Sequence, residues 1–152
     1  MGGKPWPAAA ITYYVAAKGY TAPVERAARI WNRAAVGAHL ARASRDRADV
    51  VVSYGGRRCE GLSPMGFGGW RASTVMRLGA GCSSGLITLT AVHEFGHVLG
   101  LDHEDSKCAR MNPSFSTTGS PTHCMGHSLR YWLKRPLEPD DIRGARALYK
   151  RS

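Results

Sequence analysis

No apolar run in this chain approaches the roughly 20 residues that span a bilayer, so no membrane span is expected. No internal repeat is visible, which argues against a solenoid or propeller. Acidic residues are scarce, with 11 Asp and Glu against 21 Lys and Arg and a net charge of +10. The deficit is local: residues 1–92 carry 12 basic and 4 acidic groups, and residues 93–152 carry 9 and 7. Such a balance invites nucleic acid, an anionic polymer or an acidic substrate. Yet the basic residues are scattered, and only Arg42, Arg45 and Arg47 and the pair Arg57-Arg58 cluster. No aromatics interleave with them as a stacking platform requires. The excess therefore reads as a solvated, Arg-rich surface, and no nucleic acid is expected. The chain does not lack hydrophobic residues: at 43% of 152 residues they exclude disorder and suit one domain, 1–152, with a real core.

Cysteines number four: Cys59, Cys82, Cys108 and Cys124. An even count suggests two disulfides and an oxidising compartment. Nearest-in-sequence pairing, Cys59–Cys82 and Cys108–Cys124, brackets two loop-rich segments and is preferred. The rival is a second zinc site from Cys108, Cys124, His123 and His127, whose spacing fits no common zinc module. Residues 1–20 do not read as a signal peptide, because Pro5 and Pro7 flank Trp6 and residues 11–15 look like a strand. A secreted protein is expected, its leader absent from this sequence.

Periodicity predicts a strand over 10–15 and an amphipathic helix over 22–36 with Val24, Ala28, Trp31 and Ala35 on one face. A buried strand is expected over 48–54, a short interrupted edge strand over 61–69, and a strand over 72–78. A helix over about 85–99 follows, its apolar stripe formed by Leu86, Ile87, Leu89, Val92, Phe95, Val98 and Leu99, with Ser83 or Ser84 as cap. Residues 104–136 look mostly irregular, and a last helix runs from near Pro139 to about Lys150. The order points to an α/β fold: a twisted mixed sheet packed on two helices, with a C-terminal helix.

That central helix carries His93-Glu94-Phe95-Gly96-His97-Val98-Leu99-Gly100-Leu101-Asp102-His103, or HExxHxxGxxH. Four-residue spacing puts His93 and His97 on one helix face, where both can grip one metal. Glu94 sits beside that metal but is not needed to bind it. Gly100 tolerates the backbone angles needed to leave the helix, so the chain can return His103 as a third ligand. Three imidazoles leave a fourth position open for water, as catalytic zinc sites do. HExxH alone arises by chance on many helices, but the added Gly and third His make chance a poor explanation.

The string is the metzincin zinc signature, and the chain resembles the matrixin branch of that family. Trp6-Pro7, the helix around Ala28 to Trp31, and Ala48-Asp49-Val50 are similar to the family's first half. Cys108-Ala109-Arg110-Met111-Asn112-Pro113 resembles its Met-turn, and residues 137–149, LEPDDIRGARALY, resemble its last helix. The resemblance implies one catalytic Zn²⁺ held by His93, His97 and His103, with Glu94 as general base. It implies Met111 as an apolar floor, and Pro113, Ser114 and Phe115 as a wall of the substrate pocket. Phe115 stands where the family usually has Tyr. Asp140 and Asp141 match its paired aspartates; they read as structural, opposing the helix dipole, with one holding the Met-turn backbone.

Between Tyr54 and Ala91 there is no His or Asp and only Glu60, so calcium and structural zinc are not expected, and the Cys59–Cys82 bridge can replace them. Residues 112–136 exceed the family norm. Arg58-Cys59-Glu60-Gly61 faintly echoes the family's inhibitory cysteine segment but reads as half of a disulfide. The implied activity is a monomeric, secreted zinc endopeptidase acting on protein or peptide substrates through a zinc-bound water activated by Glu94. The alternative is an inactive, zinc-containing adhesion or binding module that uses the basic surface. An intact Glu94 argues against it, since binding zinc would not require that residue.

Overall fold

The β-branched and aromatic run Ala10–Val15 forms strand β1, with Ile11 and Tyr13 buried and alternate residues turned outward. Helix α1 (Thr21–Ala34) follows and buries Pro23, Val24, Ala27, Ala28 and Trp31. Strands β2 (His39–Arg42), β3 (Val50–Tyr54), β4 (Gly61–Leu62) and β5 (Thr74–Leu78) complete a sheet of order β2-β1-β3-β5-β4. β2, β1, β3 and β5 are parallel, and β4 is antiparallel to β5 at the edge. Helices α2 (Ser84–Leu99), α3 (Leu129–Lys134) and α4 (Pro139–Leu148) form the C-terminal half. The computed structural model describes residues 2–8, 10–114, 124 and 127–150. The five-stranded mixed sheet with α1 and α2 is the α/β architecture expected from the sequence.

α1 and α2 share one core with the inner face of the sheet. Trp31 Nε1 donates to the Val92 carbonyl at 2.8 Å, and Tyr13 meets Phe95 edge-on at 5.5 Å. α2 is buried from Ile87 to Leu99 except at His93, so it needs no solvent face. Ser83 caps it by accepting from Leu86 N. Thr88 and Thr90 satisfy their hydroxyls on the carbonyls of Ser84 and Leu86 within the helix. Among the described residues no helix is long and apolar enough to cross a membrane.

One expectation needs correction, and two short elements were not expected. The edge strand is Gly61–Leu62 rather than 61–69, because Pro64 breaks it and Gly66 N turns to the His97 carbonyl at 2.8 Å. β2 has no counterpart in the sequence reading. It is held by Asn32, whose side chain donates to Leu40 O at 2.9 Å and accepts from Leu40 N at 2.8 Å. Within the mostly irregular residues 104–136 one short helix was not expected: α3 is capped by Ser128, which accepts from Tyr131 N at 3.2 Å, and sets Trp132 against Leu89 and Cys124.

Candidate metal centre and catalytic cleft

Gly100 ends α2 with φ 106°, a left-handed conformation that costs glycine little. Its N–H and that of Leu101 bond back to His97 O and Gly96 O at 2.8 and 2.9 Å. The N-terminal segment braces the same turn: Gly3 N donates to Gly100 O at 2.9 Å, and Trp6 Nε1 donates to Val98 O at 2.7 Å. From this fixed corner the chain carries His103 back beside the helix.

The ligand atoms of His93, His97 and His103 all lie within 4.8 Å of one another. His93 Nδ1 lies 2.8 Å from the Arg110 carbonyl, and His97 Nδ1 lies 2.8 Å from the Leu101 carbonyl. A carbonyl can only accept, so each Nδ1 carries its proton and each Nε2 keeps a free lone pair. Burial pushes the His93 imidazole down to about 3 and lowers His97 as well, against the raising effect of those carbonyls. Both rings are thus neutral donors. His97 Nε2 lies 3.1 Å from His103 Nε2. Two nitrogens on one tetrahedral zinc, each about 2.0–2.1 Å from it, stand roughly 3.3 Å apart. The donor set therefore fits zinc in chemistry, and the His97–His103 pair fits it in spacing as well.

Glu94 is buried beside the triad, and burial pushes its carboxyl up to about 7. Ser63 opposes that shift: its hydroxyl lies 2.9 Å from Glu94 Oε2 and 3.1 Å from the Glu94 carbonyl. Gly61 faces the same side chain, and a Cβ there would stand 2.6 Å from Glu94 Cγ. The sequence reading missed Ser63 and Gly61. Their contact with Glu94 crosses some thirty residues of chain, and a lone Ser or Gly in a loop-rich stretch gives no periodic signal.

Met111 lies buried under α2 at Gly96, where any Cβ would collide with its sulfur and meet Trp31 at 3.3 Å. Asp141 anchors the turn: its carboxylate accepts from Arg110 N at 2.8 Å, Met111 N at 3.0 Å and Glu138 N at 2.7 Å. The last bond caps α4. Asp140 instead stays at the surface, paired with Lys107 at 2.9 Å and Arg143 at 3.0 Å. Asn112, expected within the Met-turn, ties the turn to the loop after His103 by donating to Lys107 O at 2.8 Å.

A cavity of about 540 Å³ joins the three histidines and Glu94 to Gly61, Leu62, Ser63 and Met65 on one side and to Pro113 and Ser114 on the other. Phe115, expected in the same wall, lies outside the described residues. The cysteines pair as Cys59–Cys82 and Cys108–Cys124. The first bridge ties the approach to β4 to the approach to α2. The second consumes the two sulfurs that a rival zinc site would need, and His123 of that set lies outside the described residues.

A model of the Matrixin family matches residues 83–150, and a model of the Astacin peptidase family matches residues 2–113. They overlap over 83–113, the stretch holding the three histidines, Glu94 and Met111. Matrix metalloproteinase-9 of Canis lupus familiaris is 43% identical over 61 residues, which is 40% of this chain and 7% of that protein. Matrix metalloproteinase-27 of Homo sapiens is 36% identical over 61 residues, again 40% of this chain and 10% of that protein. The chain thus matches only a small part of each relative's length. With both models meeting on the histidine corner, and the Matrixin model running on through the Met-turn and α4, the chain belongs to the metzincin zinc peptidases and is matrixin-like among them.

Proposed function

We propose that this protein is a zinc-dependent endopeptidase. The observation that carries the proposal is one cavity lined by both the His93–His97–His103 triad and the carboxylate of Glu94. Zinc held by three imidazoles supplies a Lewis acid that lowers the pKa of water and polarises a peptide carbonyl. The chain's own residues do the rest. His93 and His97 present Nε2 because main-chain carbonyls hold their Nδ1 protons. Glu94 accepts a proton from the attacking water and passes it to the leaving amine. Ser63 keeps that carboxylate aimed into the cleft, and Asp141 holds the Met-turn, whose Arg110 carbonyl orients His93.

A substrate peptide would lie extended along the free edge of β4, adding main-chain hydrogen bonds as another strand does. Pro113, Ser114 and Phe115 would wall the pocket for the residue after the cut. An apolar side chain suits it, because burying an unpaired charge there is costly. Two disulfides fit export, and we read residues 1–152 as a single catalytic domain that works as a monomer. A casein-type digest tests the reading. Cleavage should stop with a chelator and return with zinc, whereas cleavage indifferent to the chelator would contradict it.

A further inference from the structure

The basic excess of residues 1–92 plays no part in the zinc site, yet some of it is gathered on the outer face of the sheet. Alternation along β5 turns Met76 and Leu78 toward the helices and leaves Val75 and Arg77 exposed. Leu62 of β4 pairs with Arg77 across the ladder and so shares its face. Leu62 is 65% exposed and Val75 40%, so the patch is apolar and uncovered. Residues 68–74 curl past it and close a groove of about 670 Å³ in which Arg71 and Arg77 flank this apolar floor. Among the described residues no carboxylate lines the groove, and neither guanidinium is in an ion pair. Leu62 and Ser63 line both this groove and the catalytic cavity, so a chain leaving the cleft can enter it without leaving the surface.

We propose that this groove binds an extended, acidic and apolar segment of the protein substrate, outside the residues that flank the cut. Guanidinium forks match carboxylates and hold them bidentately, and the floor between them takes aliphatic side chains. A nucleic acid or sulfated polymer would draw instead on a longer row of cations with no need for an apolar floor. The proposal deepens the protease reading, since it assumes that a substrate occupies the cleft. It predicts a substrate class: proteins with an acidic, Leu-like stretch beside an exposed cleavable segment.

Binding can be read without cleavage on the Glu94→Ala protein. A fluorescent peptide of alternating Glu and Leu should bind in an anisotropy titration, and its Lys and Leu counterpart should not. Binding should weaken steeply as salt rises from about 0.1 M to 1 M, where screening shortens from about 10 to 3 Å. On the same background Arg71→Glu with Arg77→Glu should weaken binding by roughly tenfold or more, the scale of two exposed charge pairs made repulsive. Arg71→Lys with Arg77→Lys should restore much of it. Equal binding by the charge-reversed protein would overturn the proposal, as would binding of a heparin oligosaccharide with none of the acidic peptide. In the wild-type protein an acidic tail on a cleavable peptide should raise kcat/KM through KM. If neither tailed nor tailless peptide is cut, the protease reading fails, while the anisotropy result still decides the groove.

Discussion

The floor of the cleft is a 16-residue helix buried on nearly every side, whereas the opposite wall is a two-residue strand followed by a loop. The floor is rigid through its own covalent spacing, its caps and a packed core. The wall is placed only by what lies around it: the Cys59–Cys82 bridge, the ladder to β5, and Ser63 resting on Glu94. A site built from a self-sufficient element and a borrowed one should respond differently to damage on each side. Changes in the floor should remove the metal or the fold, and changes in the wall should alter rate and selectivity while the metal stays.

The sharpest break on the floor side is His97→Ala. His97 is the buried member of the triad, and two imidazoles hold catalytic zinc poorly. Zinc content by atomic emission should fall to near zero with all cleavage lost. A fully metallated variant would remove His97 from the ligand set.

Asp141→Ala comes next. It leaves the main-chain N–H groups of Arg110 and Met111 without their acceptor in a buried turn. At about 1–3 kcal/mol for each such group, denaturant unfolding should show a loss of roughly 4 kcal/mol. The same change at Asp140, which is at the surface with Lys107 and Arg143, should cost under about 1 kcal/mol. Equal costs at the two sites would mean that the Met-turn is not anchored through α4.

On the wall side, removing the bridge by Cys59→Ser with Cys82→Ser opens a link across a sequence separation of 23. Roughly 3 kcal/mol of stability should go with it, and zinc affinity should hold. Loss of zinc along with the bridge would show that wall and floor are one unit. The smallest effect belongs to Ser63→Ala, which removes one hydrogen bond to Glu94. The expected result is a fall of roughly fivefold in kcat with KM and zinc content unchanged, on the scale of about 1 kcal/mol for such a bond. Restoration by Ser63→Thr would assign the effect to the hydroxyl.

The same contrast explains which parts were legible in the chain. His93, Glu94, Gly100 and His103 could be found because a helix and one turn convert fixed spacing into fixed geometry. α4 was announced by Pro139 after Glu138 and by Asp141 at the third helical position. The paired aspartates were visible, but only the fold separates buried Asp141 from surface Asp140. β2 escaped because four residues carry too little alternation, and its pairing relies on the Asn32 side chain at the end of α1. α3 escaped because six residues complete less than two turns, although Ser128 before it and Pro136 after it were usable start and stop signals. Ser63 acts on Glu94, 31 residues away, so only assembly gives it a role.

The central claim is that Glu94 performs chemistry in a site whose metal is held by others. Glu94→Ala, purified as the intact chain, should keep about one zinc per molecule while casein cleavage falls by at least roughly a hundredfold, the lower end of what a general base contributes. A zinc-loaded variant that still cuts at more than about a hundredth of the wild-type rate would contradict the account.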